Sequence, residues 1–409
     1  MRGRLSTIVP AVLLAAAVTQ PAAAANGNEK IDYHDWTSAG DFARGTLEGL
    51  RAEAGGVRVA APVGTVERAG RSYEYGRWTS PVHEQGFDAT ELIASWHAAT
   101  PEHTWLQVEA RARTASGEET AWYVLGRWAH GDADIRRTSV GGQQDAHARV
   151  SVDTLMARPG VLLRSYQLRV SLYREAGGSA TPVLRGAGAM TSRVPDRFDV
   201  PGSEPGPARG VELDVPRYAQ NIHKGRYPEY GGGGENWCSP ASTAMVLAHW
   251  DAGPGEAELS WLPADYPDRE VAHAARHTYD VAYQGTGNWS FNTAYAAHHG
   301  LRAHVTRLHS LAELEGYVVR GIPVITSQSF LESELDGAGY GTAGHLLVVV
   351  GFTGTGDVIV NDPAAESGAG VRKVYPRAQF ETIWQRTKRH DARGAVASGP
   401  GGIVYLITR

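Results

Sequence analysis

Hydrophobic and polar positions fall into two textures along the chain, with a break near residue 195. Between about residues 60 and 194, apolar and polar residues alternate with a period of two, the pattern of strands with one buried face. The runs TWLQVEARART at 104–114, TAWYVLGRWA at 120–129, AHARVSVDTL at 146–155 and SYQLRVSLYRE at 165–175 carry it, separated by Gly, Asp and Ser clusters. Long alternating strands at this spacing predict an all-β, sandwich-like domain. Beyond residue 211 the first apolar pattern is helical. Residues 239–252 space Met245, Leu247, Ala248 and Trp250 as a helix does, and Ser239 and Pro240 suit its cap and first turn. Further helices are predicted at 291–299 and 311–320, then strands at 322–329, 345–353, 356–363 and 401–408. Helices followed by antiparallel strands make an α+β domain.

The first 25 residues read as a signal peptide. Arg2 and Arg4 precede a short apolar core at 8–18, and the small residues 22–25 offer a cleavage site near Ala25. That core is shorter than the roughly 20 residues a membrane span needs. The predicted organisation is therefore a signal peptide at 1–25 and a lead-in segment at 26–59. A β-sandwich-like accessory domain follows at 60–194, then a Pro/Gly-rich linker at 195–210 and the α+β domain at 211–409. The mature protein is expected to be secreted, with no membrane span after cleavage. A formal charge of −5 over 409 residues, with no basic run or acidic block, gives no reason to expect nucleic acid or a membrane surface as partner.

Cysteine usage sharpens the picture. An exported chain normally pairs its cysteines or lacks them, yet this one keeps a single cysteine, Cys238. Alone it cannot staple the fold or build a thiolate metal site. A free cysteine is often only a small buried hydrophobe, so its surroundings must decide. In GGGGENWCSPAST it stands at the mouth of the predicted helix, where unpaired N–H groups and the helix dipole lower a thiol pKa. The glycines at 231–234 would let the backbone approach a substrate closely, and equally fit a flexible loop.

A thiol nucleophile also needs an imidazole and a group that fixes its tautomer. AGHLLVVVGF puts His345 at the head of a strand, and GDVIVNDPAA puts Asn361 and Asp362 at the end of the next. In a hairpin the start of one strand lies beside the end of the other, so His345 and Asp362 can meet. Asn361 is the alternative orienter if register turns it inward, with Asp362 then capping the turn before Pro363. The chain order Cys, His, Asp fits a papain-type arrangement.

The segments WCSPASTAMVLAHW, GHLLVVVGFTGTGDVIVNDPAA and GGIVYLI resemble a papain-like cysteine peptidase family. It includes the double-glycine leader peptidases of bacteriocin exporters (family C thirty-nine), and the likeness is greatest to its secreted, stand-alone actinobacterial members. The resemblance covers roughly residues 211–409. It implies a papain-like fold, hydrolysis of peptide bonds through a thioester, a peptide or protein substrate and no cofactor. By that match Cys238, His345 and Asp362 take the catalytic positions. The family also has a Gln shortly before the nucleophile that helps hold the oxyanion. Gly232 stands at the matching position, so Gln220 in RYAQNIHKG is taken as the displaced equivalent, with Asn236 as competing donor and the Cys238 N–H as second donor.

Export argues against leader processing carrying over from the exporter-bound members. The rival readings are an amidase or acyltransferase on small amides, and a catalytically silent secreted binding protein. The first domain is expected to bind cell wall, glycan or the substrate protein, or to serve as a folding partner. Its aromatics Trp96, Trp105, Trp122, Tyr123 and Trp128 fit either a binding face or a core. His298, His299, His304 and His309 are not read as metal ligands. The adjacent pair points to different sides of a helix, and no acidic residue falls at ligand spacing. Residues 285–296 are read as cleft wall or core.

Overall fold

The computed structural model describes residues 29–409, and the signal peptide expected at 1–25 lies outside them. The first region is two antiparallel sheets packed face to face. In one, Leu163–Glu175 lies between Thr104–Thr114 and Arg71–Thr79. In the other, Val183–Arg193 lies between Glu91–Ala99 and the strands Lys30–Trp36 and Gly56–Val59. The alternation read from the sequence is the cause. Leu106, Val108 and Ala110 face Leu92, Ala94 and Trp96 across a core that also takes in Trp36, Trp78 and Trp128.

Three details differ from expectation. Residues 30–59, read as a lead-in, supply strands to both sheets: Lys30–Trp36, Leu50–Glu53 and Gly56–Val59 join one, and Thr46–Glu48 the other. They are short and partly polar edge pieces, which hides their period. The strand predicted at 146–155 is a hairpin, Ala148–Ser151 and Thr154–Ala157, turning at Val152 with φ +55°. Four of the five aromatics considered for a binding face (Trp96, Trp105, Tyr123 and Trp128) are buried, so they build cores. Trp122 alone is half-buried, with the Arg111 and Arg169 guanidiniums over its ring.

The second region is α+β. Its six-stranded antiparallel sheet runs in the order Arg302–Arg307, Ile403–Thr408, Val324–Phe330, Thr342–Phe352, Val358–Asn361 and Arg372–Tyr375. Alternation along the third and fourth strands buries both faces. Ile325, Leu346, Val348 and Val350 pack with the helices Cys238–His249 and Arg269–Thr278. Val324, Leu347 and Val349 pack with Leu311–Val318 and Arg377–Gln385 on the other side.

Residues 195–210 are pinned to this second region. The Ser203 N–H donates to Glu381 at 2.7 Å, and the Gly206 and Ala208 N–H groups donate to Glu315 at 2.9 Å. The two regions also share a core. Phe291 and Ala294 of the helix Trp289–His298 belong to the sandwich core, while Tyr295 and Ala296 belong to the other. Ile93 and Met190 reach in the opposite direction. Polar groups tie the same seam: the Ser290 hydroxyl donates to the Ala94 carbonyl at 2.7 Å, and the Val305 N–H to Ser95 Oγ at 2.9 Å. Full burial of a side chain such as Phe291 contributes about 1.5–3 kcal/mol, so this helix fastens the halves together.

Candidate active site

Cys238 is the first residue of the helix Cys238–His249, whose cap position, Trp237, makes no side-chain capping bond. Ser239, expected as the cap, lies within the helix, and its hydroxyl meets the Tyr405 hydroxyl at 2.9 Å. The helix is laced into the core by further buried polar contacts. The Ser242 hydroxyl donates to the Leu346 carbonyl at 3.1 Å, and the Thr243 hydroxyl to Asn292 Oδ1 at 3.2 Å. The thiol is half-buried, at a helix end whose first N–H groups the cap side chain leaves unbonded.

His345 and Asp362 meet as the hairpin predicts. Val348 pairs with Asn361, so the start of Thr342–Phe352 lies beside the residue that follows Val358–Asn361. His345 Nε2 is 2.9 Å from Asp362 Oδ1, and both residues are buried. A carboxylate only accepts, so Nε2 donates and Nδ1 is left as the free ring nitrogen. His345 and Cys238 are close enough for the charge on each to shift the titration of the other. Asn361 turns elsewhere: its amide donates to the carbonyls of Val215 and Pro216 at 3.1 and 3.2 Å.

Asp362 is closely satisfied. The Tyr375 and Tyr340 hydroxyls donate to Oδ2 at 2.6 and 2.9 Å, the Ala364 N–H donates to Oδ1 at 3.0 Å, and Lys373 Nζ is 3.7 Å from Oδ2. Burial alone would push this carboxyl's pKa up. His345, Lys373 and Tyr375 together hold it well below the usual carboxylate range. Burial likewise opposes the imidazolium, but Asp362 and Cys238 raise the His345 pKa to about 10. Burial disfavours the thiolate, and the His345 charge with the Leu346 and Ser239 N–H groups overcomes it, so the Cys238 pKa is lowered. The three groups together favour a thiolate–imidazolium pair.

Gln220 sits between the two halves of this cluster. Its backbone N–H donates to the Pro363 carbonyl at 2.8 Å, and its Nε2 to the Glu235 carbonyl at 2.7 Å. Its Oε1 is buried without a partner. The competing donor Asn236 is exposed, and its amide donates to the Gly231 carbonyl at 2.9 Å. The glycine run is a tight loop. Gly231, Gly232 and Gly233 have φ of +80°, +96° and +121°, where only glycine is at ease. A Cβ on Gly234 would lie 2.3 Å from His223 Cβ.

Several neighbours of the cluster were not found from the sequence. Tyr340 sets its ring edge against His345, with centroids 5.5 Å apart, and bonds Asp362 through its hydroxyl. Tyr375 arrives from the strand beyond Asp362. Gln328 lies directly across from His345 in the strand register and is wholly buried. No spacing rule marks these residues, because they depend on strand order and not on local pattern. Residues 289–297 are almost wholly core. Of the histidines weighed together in the sequence, His304 stacks on Tyr33 at 3.9 Å and His309 pairs with Glu313 at 3.0 Å, away from His298 and His299.

Residues 32–192 match the family described as peptidase C39 N-terminal domain, in its actinobacterial form, and residues 212–392 match the peptidase C39-like family. No curated protein matches the chain. Among solved structures, a protein described as a C39-like peptidase from Bacillus anthracis is 17% identical, with a TM-score of 0.29, over 49% of this chain and 98% of that one. The structure of infectious bursal disease virus, Gt strain, is 14% identical with a TM-score of 0.20, over 45% of this chain and 36% of that one. Structural likenesses this weak carry no argument, and the family assignment rests on the two sequence matches, which between them take in most of the chain. The chain belongs to the peptidase C39-like family and carries that family's actinobacterial-type N-terminal domain.

Proposed function

We propose that the protein is a secreted cysteine peptidase in which Cys238 is the nucleophile, His345 the general base and acid, and Asp362 the orienter. The observation that carries this reading is the buried 2.9 Å contact between His345 Nε2 and Asp362, beside a thiol at a helix start that the His345 charge acts on. In the reaction the Cys238 thiolate attacks the peptide carbonyl, forming a C–S bond. The oxyanion is received by the Cys238 N–H and by the second N–H of Gln220 Nε2. The C–N bond then breaks as His345 Nδ1 gives its proton to the leaving amine. Water, deprotonated by His345, attacks the thioester, releasing the acid and restoring Cys238.

Export rests on the signal-like residues 1–25. No helix among the described residues is long and apolar enough to cross a membrane. The first region is proposed to contact the substrate protein or a cell-wall glycan. One observation favours a second reading, a silent binding protein: the Gln220 amide already donates to the Glu235 carbonyl.

The test is alkylation of full-length protein by iodoacetamide across pH, wild type against His345→Ala, followed by a peptide-library digest. Alkylation of wild type well below the free-thiol pKa of about 8.5, lost at low pH in the variant, supports the ion pair. Cleavage then establishes the peptidase. Free-thiol behaviour in both proteins overturns the reading, and an activated thiol without cleavage favours the binding protein.

A further inference from the structure

A second cluster of chemically capable side chains lies at the seam between the two regions, on residues the proposed reaction does not use. His130 follows the strand Tyr123–Trp128 of the first region. His273 and His277 stand four apart on the helix Arg269–Thr278 of the second, and therefore share one helix face. Each of the three offers one nitrogen, and these nitrogens lie within 4.8 Å of one another. His273 and His277 are buried and His130 nearly so.

The remaining ring nitrogens are already occupied in the way a metal site requires. His277 Nδ1 is 2.7 Å from the His130 carbonyl, which can only accept, so Nε2 keeps its lone pair. His273 Nδ1 is 2.8 Å from the Tyr295 hydroxyl, and where that hydroxyl accepts, Nε2 is free as well. His130 Nε2 faces the Glu258 carboxylate at 3.6 Å, while its Nδ1 is buried with no partner. A carbonyl and a hydroxyl thus hold the outer nitrogens of His277 and His273, as second partners orient the rings in histidine metal sites. The nearby guanidiniums of Arg137 and Arg276 are both paired with Asp132, at 2.6 and 2.8 Å.

We propose that His130, His273 and His277 form a site for one divalent transition-metal ion, zinc by preference, that cross-links the N-terminal region to the peptidase domain. Three neutral imidazoles suit zinc, with a fourth position left for water. Zinc–nitrogen bonds of about 2.0–2.1 Å set ligand nitrogens roughly 3.3 Å apart in a tetrahedron. The His130 ring now stacks on His277 at 4.3 Å and has no hydrogen bond of its own, so ion binding requires that ring to turn toward the His273 and His277 nitrogens. His298 stacks on the other face of His130 at 3.5 Å and backs the ring. The sequence hides this site, since His130 lies more than a hundred residues from its partners.

The experiment uses full-length protein with Cys238→Ser, so that the thiol cannot bind the metal. Zinc is titrated by calorimetry, and cobalt is added as a visible probe. The expected result is one equivalent bound at micromolar affinity or tighter, with the visible bands of tetrahedral cobalt and a raised melting temperature. His277→Gln is expected to weaken binding at least 100-fold, while His304→Gln leaves it unchanged. Circular dichroism establishes that each variant is folded. Absence of saturable binding with no tetrahedral cobalt spectrum overturns the proposal whether or not the His277 variant folds. Undiminished binding by a folded His277→Gln, His273→Gln double variant also overturns it.

Discussion

Replacing Asp362 with Asn keeps the shape of the side chain and removes its charge. The carboxylate receives four hydrogen bonds, from His345, Tyr340, Tyr375 and the Ala364 N–H, and all four partners are donors in that geometry. An amide offers one accepting oxygen, so its NH2 group must face at least one of those donors. If the amide nitrogen turns to His345, Nε2 must give up its proton, and Nδ1 holds the proton instead of accepting one. The imidazolium also loses the opposite charge that does most to sustain it against burial. General-base and tautomer effects of this kind are worth about 10²–10⁴ in rate, or about 3–5 kcal/mol of transition-state stabilisation. The ion pair exists above the Cys238 pKa and below that of His345. In the wild type its alkaline limb therefore falls near pH 10. Without the carboxylate the His345 pKa drops, and that limb moves to lower pH. The assay is kcat/KM on a peptide substrate together with the rate of iodoacetamide alkylation from pH 4 to 11. A variant within a factor of about three of wild type in rate, with its alkaline limb unmoved, would refute the role given to Asp362.

Three further outcomes follow from the same structure. Gln220→Ala is expected to lower kcat by about 10²–10³ while leaving the pH profile of Cys238 alkylation in place, since an oxyanion donor acts after thiolate formation; a shifted alkylation profile would count against that role. Gly234→Ala places a Cβ 2.3 Å from His223 Cβ and 2.6 Å from the Gln220 carbonyl oxygen. It is expected to cost about 3 kcal/mol or more in denaturant unfolding, and a neutral result would mean the glycine loop is not tightly packed. Phe291→Ala is expected to lose about 3–5 kcal/mol, with both regions unfolding in one transition at lower denaturant; separate transitions would show that the seam does not couple them.

What could be read from the sequence was whatever depends on neighbours along the chain. The long runs of period two gave the sandwich strands, and the hairpin argument paired His345 with Asp362, because strand starts and ends are local facts. Cys238 was found through a helix start, although the capping residue was misjudged: Ser239 lies one position inside the helix and bonds Tyr405. The strand Lys30–Trp36 was missed because its partly polar residues pair only with Val183–Arg193, about 150 residues later in the chain. Tyr340 and Tyr375 were missed for a related reason. Each reaches Asp362 only once the strand order places Arg372–Tyr375 beside Val358–Asn361 and folds the turn before Thr342 over His345. Asn361 and Asp362 could not be separated by pattern alone. The bonds from Asn361 to Val215 and Pro216 decide between them, and those partners lie nearly 150 residues away.

The same long-range contacts bear on why a peptidase domain should carry a β-sandwich. The helix Trp289–His298 gives Phe291 to the sandwich core, and Asn292, its next residue, takes the Thr243 hydroxyl of the helix Cys238–His249. Its first N–H, at Trp289, is held at 2.7 Å by Asp153 from the tip of a sandwich hairpin. A displacement of the sandwich would therefore act on the helix start, on the Asn292 contact and, through Thr243, on the helix that begins with Cys238. Thiol chemistry is sensitive to such shifts, since a misplacement of about 1 Å can cost 10²-fold in rate. The first region is thus part of what holds the helix Cys238–His249 in place.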